Sequence, residues 1–252
     1  MAGQILEATR QQAGANMRRL AAVARLQLPD VQLLVNEGDI RDSLLKRIKE
    51  DAIELVVMGT HGRGGLERLM LGSVTERIVH QATCPVLVVC RPVRDFVAPE
   101  EAVPVDLRTI LLATDFSSNS SRAVAEAIQW ASEWSAKLIL FHAVEEVPPK
   151  AMGRVDLFPE YNRYFEKQLV VARETIQKQV SSAVNKNFEI SSEVRHGNPK
   201  EQILRVAEEK NADLIVMGTK GITNTASVWG STISAVLRDG RFPVLALPHV
   251  SN

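Results

Sequence analysis

Two clusters of glycine and hydroxyl residues are the part of this chain with the clearest chemical potential. Glycine lets backbone N–H groups approach a ligand without a Cβ in the way. In each cluster a glycine–serine pair also starts a predicted helix, where free N–H groups and the positive dipole end attract anions. The predicted chemistry is the binding of phosphate. The clusters are Gly59, His61, Gly62, Gly72 and Ser73, and Gly218, Lys220, Gly221, Gly230, Ser231 and Thr232.

Four ionisable side chains near predicted strand ends leave alternatives open. His61 and Lys220 hold equivalent places in the two clusters, and each either contacts phosphate or faces solvent. Asp115 follows an apolar run, where a carboxylate could accept hydrogen bonds from ribose hydroxyls or cap the next helix. His142, at the end of another apolar run, fits a structural histidine better than a base.

The sequence contains no recognisable catalytic set. It has no Gly-x-Ser-x-Gly elbow, no His-Glu-x-x-His and no Walker-type Gly-Lys-Ser. Cys84 and Cys90 have no further ligands at zinc spacing and are interpreted as buried strand thiols. We therefore assign no catalytic residue and no metal ligand, and a binding module is favoured over an enzyme.

The two clusters belong to an internal repeat. Residues 53–62 read IELVVMGTHG, and residues 212–221, at an offset of 159, read ADLIVMGTKG. A repeat of this length indicates two copies of one α/β module. The predicted boundaries are 1–92 for an incomplete first module, 93–106 for a linker rich in proline and acidic residues, and 107–252 for a complete second module.

The second module alternates apolar runs with helical patterns, which predicts a parallel sheet covered on both faces. Its predicted strands are 109–114, 138–142, 189–195, 213–217 and 244–247, and its helices are 119–134, 160–184, 199–210 and 230–239. The first module has no counterpart of residues 107–159. It is predicted to hold strands 31–36, 54–58 and 86–90 with helices 4–26, 40–51 and 73–82.

Composition excludes several other classes. Thirty basic residues balance thirty acidic ones, which gives no reason to expect nucleic-acid binding. No apolar run reaches the length of a membrane span, and the N-terminus lacks the pattern of a secretory leader. We expect a soluble cytoplasmic protein without a membrane or nucleic-acid partner.

Residues 56–89, VVMGTHGRGGLERLMLGSVTERIVHQATCPVLVV, closely resemble the C-terminal signature of universal stress proteins. LLATDFSSNS, residues 111–120, resembles the first strand of that family and its aspartate loop. The chain is therefore identified as a tandem member. The resemblance implies parallel sheets of strand order 3-2-1-4-5, the first module lacking its first two strands. It also implies a site for ATP or another adenine nucleotide, with or without magnesium.

Carried over by position, the resemblance assigns roles within the second module. Asp115 would hold ribose, the backbone near Ala143 would meet adenine, and the second glycine cluster would hold ribose and phosphates. The spacing between Gly221 and Gly230 is one residue shorter than between Gly62 and Gly72, which departs from the family pattern. The first cluster would form a second phosphate site without an adenine strand.

Three functions remain open from the sequence. The leading one is a nucleotide-binding sensor or regulator in a stress response. The alternatives are a nucleotide-free dimerising scaffold and a slow ATPase. In the family's strand order the uncharged last strands, 86–89 and 244–247, are edges. We therefore predict that they form the contact between modules or between chains, with a homodimer through these strands as the expected assembly.

Overall fold

A computed structural model describes residues 7–8, 10–18, 30–36, 38–60, 71–89, 106–117, 120–145, 158–183, 187–220 and 230–249. The chain forms two compact units, Met1–Lys46 and Arg47–Asn252. The predicted linker lies outside the described residues apart from Asp106. The repeat boundaries themselves stay a prediction.

The first unit contains helical turns at residues 10–18, as expected, and the start of helix α1, Ile40–Glu50. Asp39 begins that helix, because its Oδ1 accepts hydrogen bonds from the backbone N–H groups of Arg41 and Asp42 at 2.9 and 3.1 Å. A short acidic side chain placed before the first turn satisfies amides that have no partner within the helix.

The predicted strand at 31–36 is wrong, because these residues have no regular structure. The repeat supplies the physical reason. Their counterpart in the second module, Ile190–His196, forms its ladder with the strand Lys137–Val144. The described residues of the first repeat include no counterpart of that partner strand, and a ladder requires the backbone groups of a partner.

The second unit closely follows the remaining sequence predictions. Its strands are β1 (Val56–Gly59), β2 (Val86–Val89), β3 (Thr109–Ala113), β4 (Lys137–Val144), β5 (Ile190–His196), β6 (Leu214–Gly218) and β7 (Val244–Leu247). Its helices are α2 (Ser73–Gln81), α3 (Ser120–Trp134), α4 (Phe158–Ala183), α5 (Pro199–Glu209) and α6 (Ser231–Asp239).

All seven strands form one sheet of order β1-β2-β7-β6-β3-β4-β5. Five of them, β5-β4-β3-β6-β7, are mutually parallel and have the predicted order 3-2-1-4-5. Helix α3 buries an alanine face, Ala123, Ala127 and Ala131, in the same core cluster as Leu214 and Val216 of β6. Small side chains at helical spacing let the helix lie close to the sheet.

The last strands of the two repeats pair with each other, which confirms the predicted contact. β2 and β7 run antiparallel, with Val86, Leu87 and Val88 opposite Ala246, Leu245 and Val244. This pairing satisfies both strand edges within one chain. The homodimer expected through these strands stays a prediction.

The other edge of β1 is less protected than the same place in the second repeat. Val57 is 60% exposed, whereas its counterpart Val216 is fully buried. Val216 lies in β6 beside β3 and belongs to the same core cluster as the alanine face of α3. Leu55 is 38% exposed and its counterpart Leu214 only 1%. Among the described residues, β1 pairs with β2 alone. No strand or helix among the described residues covers this part of the first repeat as β3 and α3 cover β6.

Asp213 connects the start of β3 to β6. It is buried, and its Oδ2 accepts hydrogen bonds from the backbone N–H groups of Arg108 and Thr109, each at 2.9 Å. Asp213→Ala removes both acceptors, so we expect about 2–3 kcal/mol less stability in urea denaturation. The control is Asp106→Ala, which removes an exposed ion pair with Arg108 and should change stability by less than about 1 kcal/mol. Equal losses in the two variants would contradict this role of Asp213.

Candidate functional site: a cavity at the carboxyl ends of three strands

A cavity of about 610 Å³ opens where β3, β4 and β6 end. In a parallel sheet this edge collects the residues that follow each strand, and ligands commonly bind there. The structure brings together at this cavity most of the site residues predicted for the second repeat, although they are far apart in sequence. They are Asp115, Ala143, Gly218, Lys220, Gly230, Ser231 and Thr232. Gly221 lies outside the described residues.

Asp115 is held in a defined position at the end of β3. Its Oδ1 accepts hydrogen bonds from the backbone N–H of Ser117 at 3.0 Å and from the Ser117 hydroxyl at 2.6 Å. The hydroxyl of Ser117 in turn accepts from the N–H of Ser120, the first residue of α3, at 3.2 Å. Ser117 therefore caps the helix, while Asp115 turns the chain and lines the cavity as a half-buried carboxylate.

His142 and Phe116 form one wall of the cavity. The Nδ1 of His142 lies 2.7 Å from the carbonyl oxygen of Thr114, which can only accept, so Nδ1 carries the proton. Burial lowers the pKa of His142, and the bond to Thr114 and the charge of Asp115 oppose this effect. The ring of Phe116 stacks on His142 with centroids 4.3 Å apart. The structural interpretation of His142 agrees with this geometry.

The opposite end of the cavity is the N-terminus of α6. The N–H of Gly230 donates to the carbonyl of Thr219 at 3.2 Å, which closes the glycine loop. No side chain caps the helix at Gly230, and Ser231 and Thr232 supply hydroxyl groups beside the first amides. Lys220 lies at the same end of the site, directly after β6. These groups are the donors that an anion requires.

The first repeat closes its glycine loop in the same way. The N–H of Gly72 donates to the carbonyl of Thr60 at 2.8 Å, and the Thr75 hydroxyl donates to the carbonyl of Gly59 at 2.8 Å. Ser73 begins α2, again without a side-chain cap at Gly72. His61 and Gly62 lie outside the described residues. This half resembles the phosphate end of the second site, but β1 lacks neighbours equivalent to β3 and β4 among the described strands.

Sequence reasoning missed one whole wall of the cavity. Helix α4 contributes Gln168, Val171, Ala172 and Thr175, whose spacing places them on one helical face. That periodicity was available in the sequence, but a mixed face with two polar residues does not distinguish a cavity wall from a solvated surface. Phe116 and Met217, which also line the cavity, were missed as well.

The described residues contain neither a metal-binding cluster nor a membrane-spanning helix. They contain no group of three His, Cys, Asp or Glu residues arranged to hold a metal ion. None of the described helices combines the length and apolar character needed to cross a membrane.

Comparisons with known proteins agree with this architecture. The family model described as "Universal stress protein family" matches residues 2–90 and 106–248. A universal stress protein of Mycobacterium bovis is 31% identical over 194 residues, which span 76% of this chain and 61% of that protein. One from Thermus aquaticus is 35% identical over 141 residues, which span 55% of this chain and 96% of that protein.

Solved structures show the same fold. A universal stress protein from Archaeoglobus fulgidus has a TM-score of 0.58 at 23% identity, covering 92% of this chain and 78% of its own. A protein of unknown function from Pseudomonas aeruginosa has a TM-score of 0.63 at 17% identity, covering 93% and 77% of the two chains. The family model covers both repeats and thus most of the chain. The chain therefore belongs to the universal stress protein family.

Proposed function

We propose that this chain is a cytoplasmic regulator in a stress response that binds an adenine nucleotide in its second repeat. The observation that carries the proposal is the convergence of Asp115, Lys220 and the uncapped start of α6 on one cavity. A carboxylate at one strand end suits ribose hydroxyls, and a cation beside free helix amides suits phosphate. An apolar wall between such groups is typical of a nucleotide site.

Each part of the cavity has a role under this proposal. Asp115 accepts hydrogen bonds from ribose, and the backbone after β4, near Ala143, lies beside the base. Gly218 leaves room for close approach to the backbone, and Lys220, Ser231 and Thr232 contact phosphate. Ligand binding and release then serve as the signal, because no nucleophile–base pair suited to rapid turnover was found in the sequence.

The test is a thermal-shift titration with adenosine, AMP, ADP and ATP, with GTP as a base control. When a ligand binds only the native state and its free concentration is one hundred times its dissociation constant, it adds about 2.7 kcal/mol to the free energy of unfolding. For a chain of this size we expect the melting temperature to rise by about 5–10 °C with at least one adenine compound. No shift with any of them would favour the nucleotide-free scaffold instead.

A matched pair of variants locates the binding to one repeat. Ser231 and Ser73 are the first residues of equivalent helices. Ser231→Ala should weaken binding of the phosphorylated ligands severalfold, since it removes a hydroxyl from the cavity. Ser73→Ala should leave the titration unchanged. The reverse ranking would place the nucleotide in the first repeat.

A further inference from the structure

The charged side chains around the cavity indicate how many phosphates of a nucleotide it can accept. Three charged side chains line it among the described residues, namely Asp115, Glu145 and Lys220. Two are acidic and one is basic, so the lining by itself has a net negative charge. The negative charge of a bound nucleotide can therefore be balanced mainly at the end of the cavity formed by Lys220 and the start of α6.

That compensation is limited. Lys220 is half-buried and forms no hydrogen bond or ion pair with any described residue, so its ammonium group is available to a ligand. The N-terminus of α6 adds roughly half a positive charge through its aligned peptide dipoles. Together these two groups balance most of the charge of one phosphate dianion, but not that of a triphosphate.

The first repeat shows what the second lacks. Between Gly62 and Gly72 the sequence reads RGGLERLML and includes Arg63 and Arg68. Between Gly221 and Gly230 it reads ITNTASVW, which contains no charged residue. The segment between Gly221 and Gly230 therefore offers no cation for a second or third phosphate, whereas its counterpart in the first repeat has two arginines.

We infer that the cavity of the second repeat selects an adenine nucleotide with a single phosphate over ATP. This inference rests on the proposed function, since it concerns the same site. The physical basis is that each additional phosphate brings negative charge towards a lining in which, among the described residues, Lys220 is the one cation. Phosphates beyond the first then remain in solvent and gain little from the protein.

The experiment is isothermal titration calorimetry of adenosine, AMP, ADP and ATP, with EDTA present so that magnesium does not neutralise the phosphates. We expect AMP to bind at least tenfold more tightly than ATP, with ADP between them. ATP binding as tightly as AMP, or more tightly, would overturn the inference and leave the proposed function standing. Absence of binding by all four compounds would overturn both.

Three variants separate the charge effect from a general loss of the site. Lys220→Ala should weaken AMP about tenfold and leave adenosine unchanged, because adenosine has no phosphate. Glu145→Gln should improve ATP about two- to fivefold and adenosine not at all. Lys178, exposed on α4 and outside the cavity lining, provides the control, and Lys178→Ala should change nothing. If Lys220→Ala weakens adenosine as much as AMP, charge does not set the preference.

Discussion

Val88→Lys should destabilise the second compact unit by about 3–5 kcal/mol, because it places an uncompensated charge inside the sheet. Val88 is fully buried and lies opposite Val244, also fully buried, in the antiparallel pair that joins the two repeats. Side chains of a strand project from the faces of the sheet, so a lysine at this position enters the covered face and cannot reach solvent without disturbing the packing there. Urea denaturation followed by circular dichroism measures the loss.

The matched control is Val57→Lys, the same substitution in the neighbouring strand. Val57 is 60% exposed, so the ammonium group stays hydrated and the change should lie within about 0.5 kcal/mol. A sizing column run on both variants adds an independent readout. If Val88→Lys keeps the native stability but changes the elution volume, the last strands pair between chains in solution and the intramolecular junction is wrong.

Asp115→Ala should weaken adenine-nucleotide binding by ten- to a hundredfold. Losing one hydrogen bond to a charged group costs about 1.5–3 kcal/mol, which corresponds to that range. Asp115 also holds the turn at Ser117, so the alanine variant alone does not separate ribose binding from local structure. Calorimetry with AMP should therefore include Asp115→Asn. That variant keeps an oxygen for the N–H of Ser117 and should bind with intermediate affinity.

Ser73→Ala tests whether the first repeat contributes to nucleotide binding. It changes the phosphate loop of the first repeat and should leave nucleotide binding the same. Gly72→Val is less suitable, because a Cβ at Gly72 would lie 2.9 Å from the carbonyl oxygen of Thr60 and force the loop to move. If Ser73→Ala weakens binding and Asp115→Ala does not, the first repeat holds the nucleotide and completes its site by other means.

Local pattern was enough to predict most elements of the second repeat. The alanines of α3 recur at helical spacing, and the strands are short apolar runs bounded by turn residues, so periodicity identifies both. The order 3-2-1-4-5 followed from resemblance to the family, and the structure confirms it. Asp115, Gly218 and Gly230 could be assigned to one site, because residues that follow parallel strands meet at one edge.

Pairing between strands is what the sequence by itself did not determine. Residues 31–36 have a strand-like composition and still form no strand, because a ladder needs the backbone groups of a partner. The last strands were predicted to meet, but their antiparallel register and their pairing within one chain depend on how the two repeats come together. The wall of α4 and the stacking of Phe116 on His142 likewise depend on contacts between residues distant in sequence. Local pattern therefore predicted most elements and the groups at their ends, whereas contacts between distant residues established which strand edges and helix faces have partners.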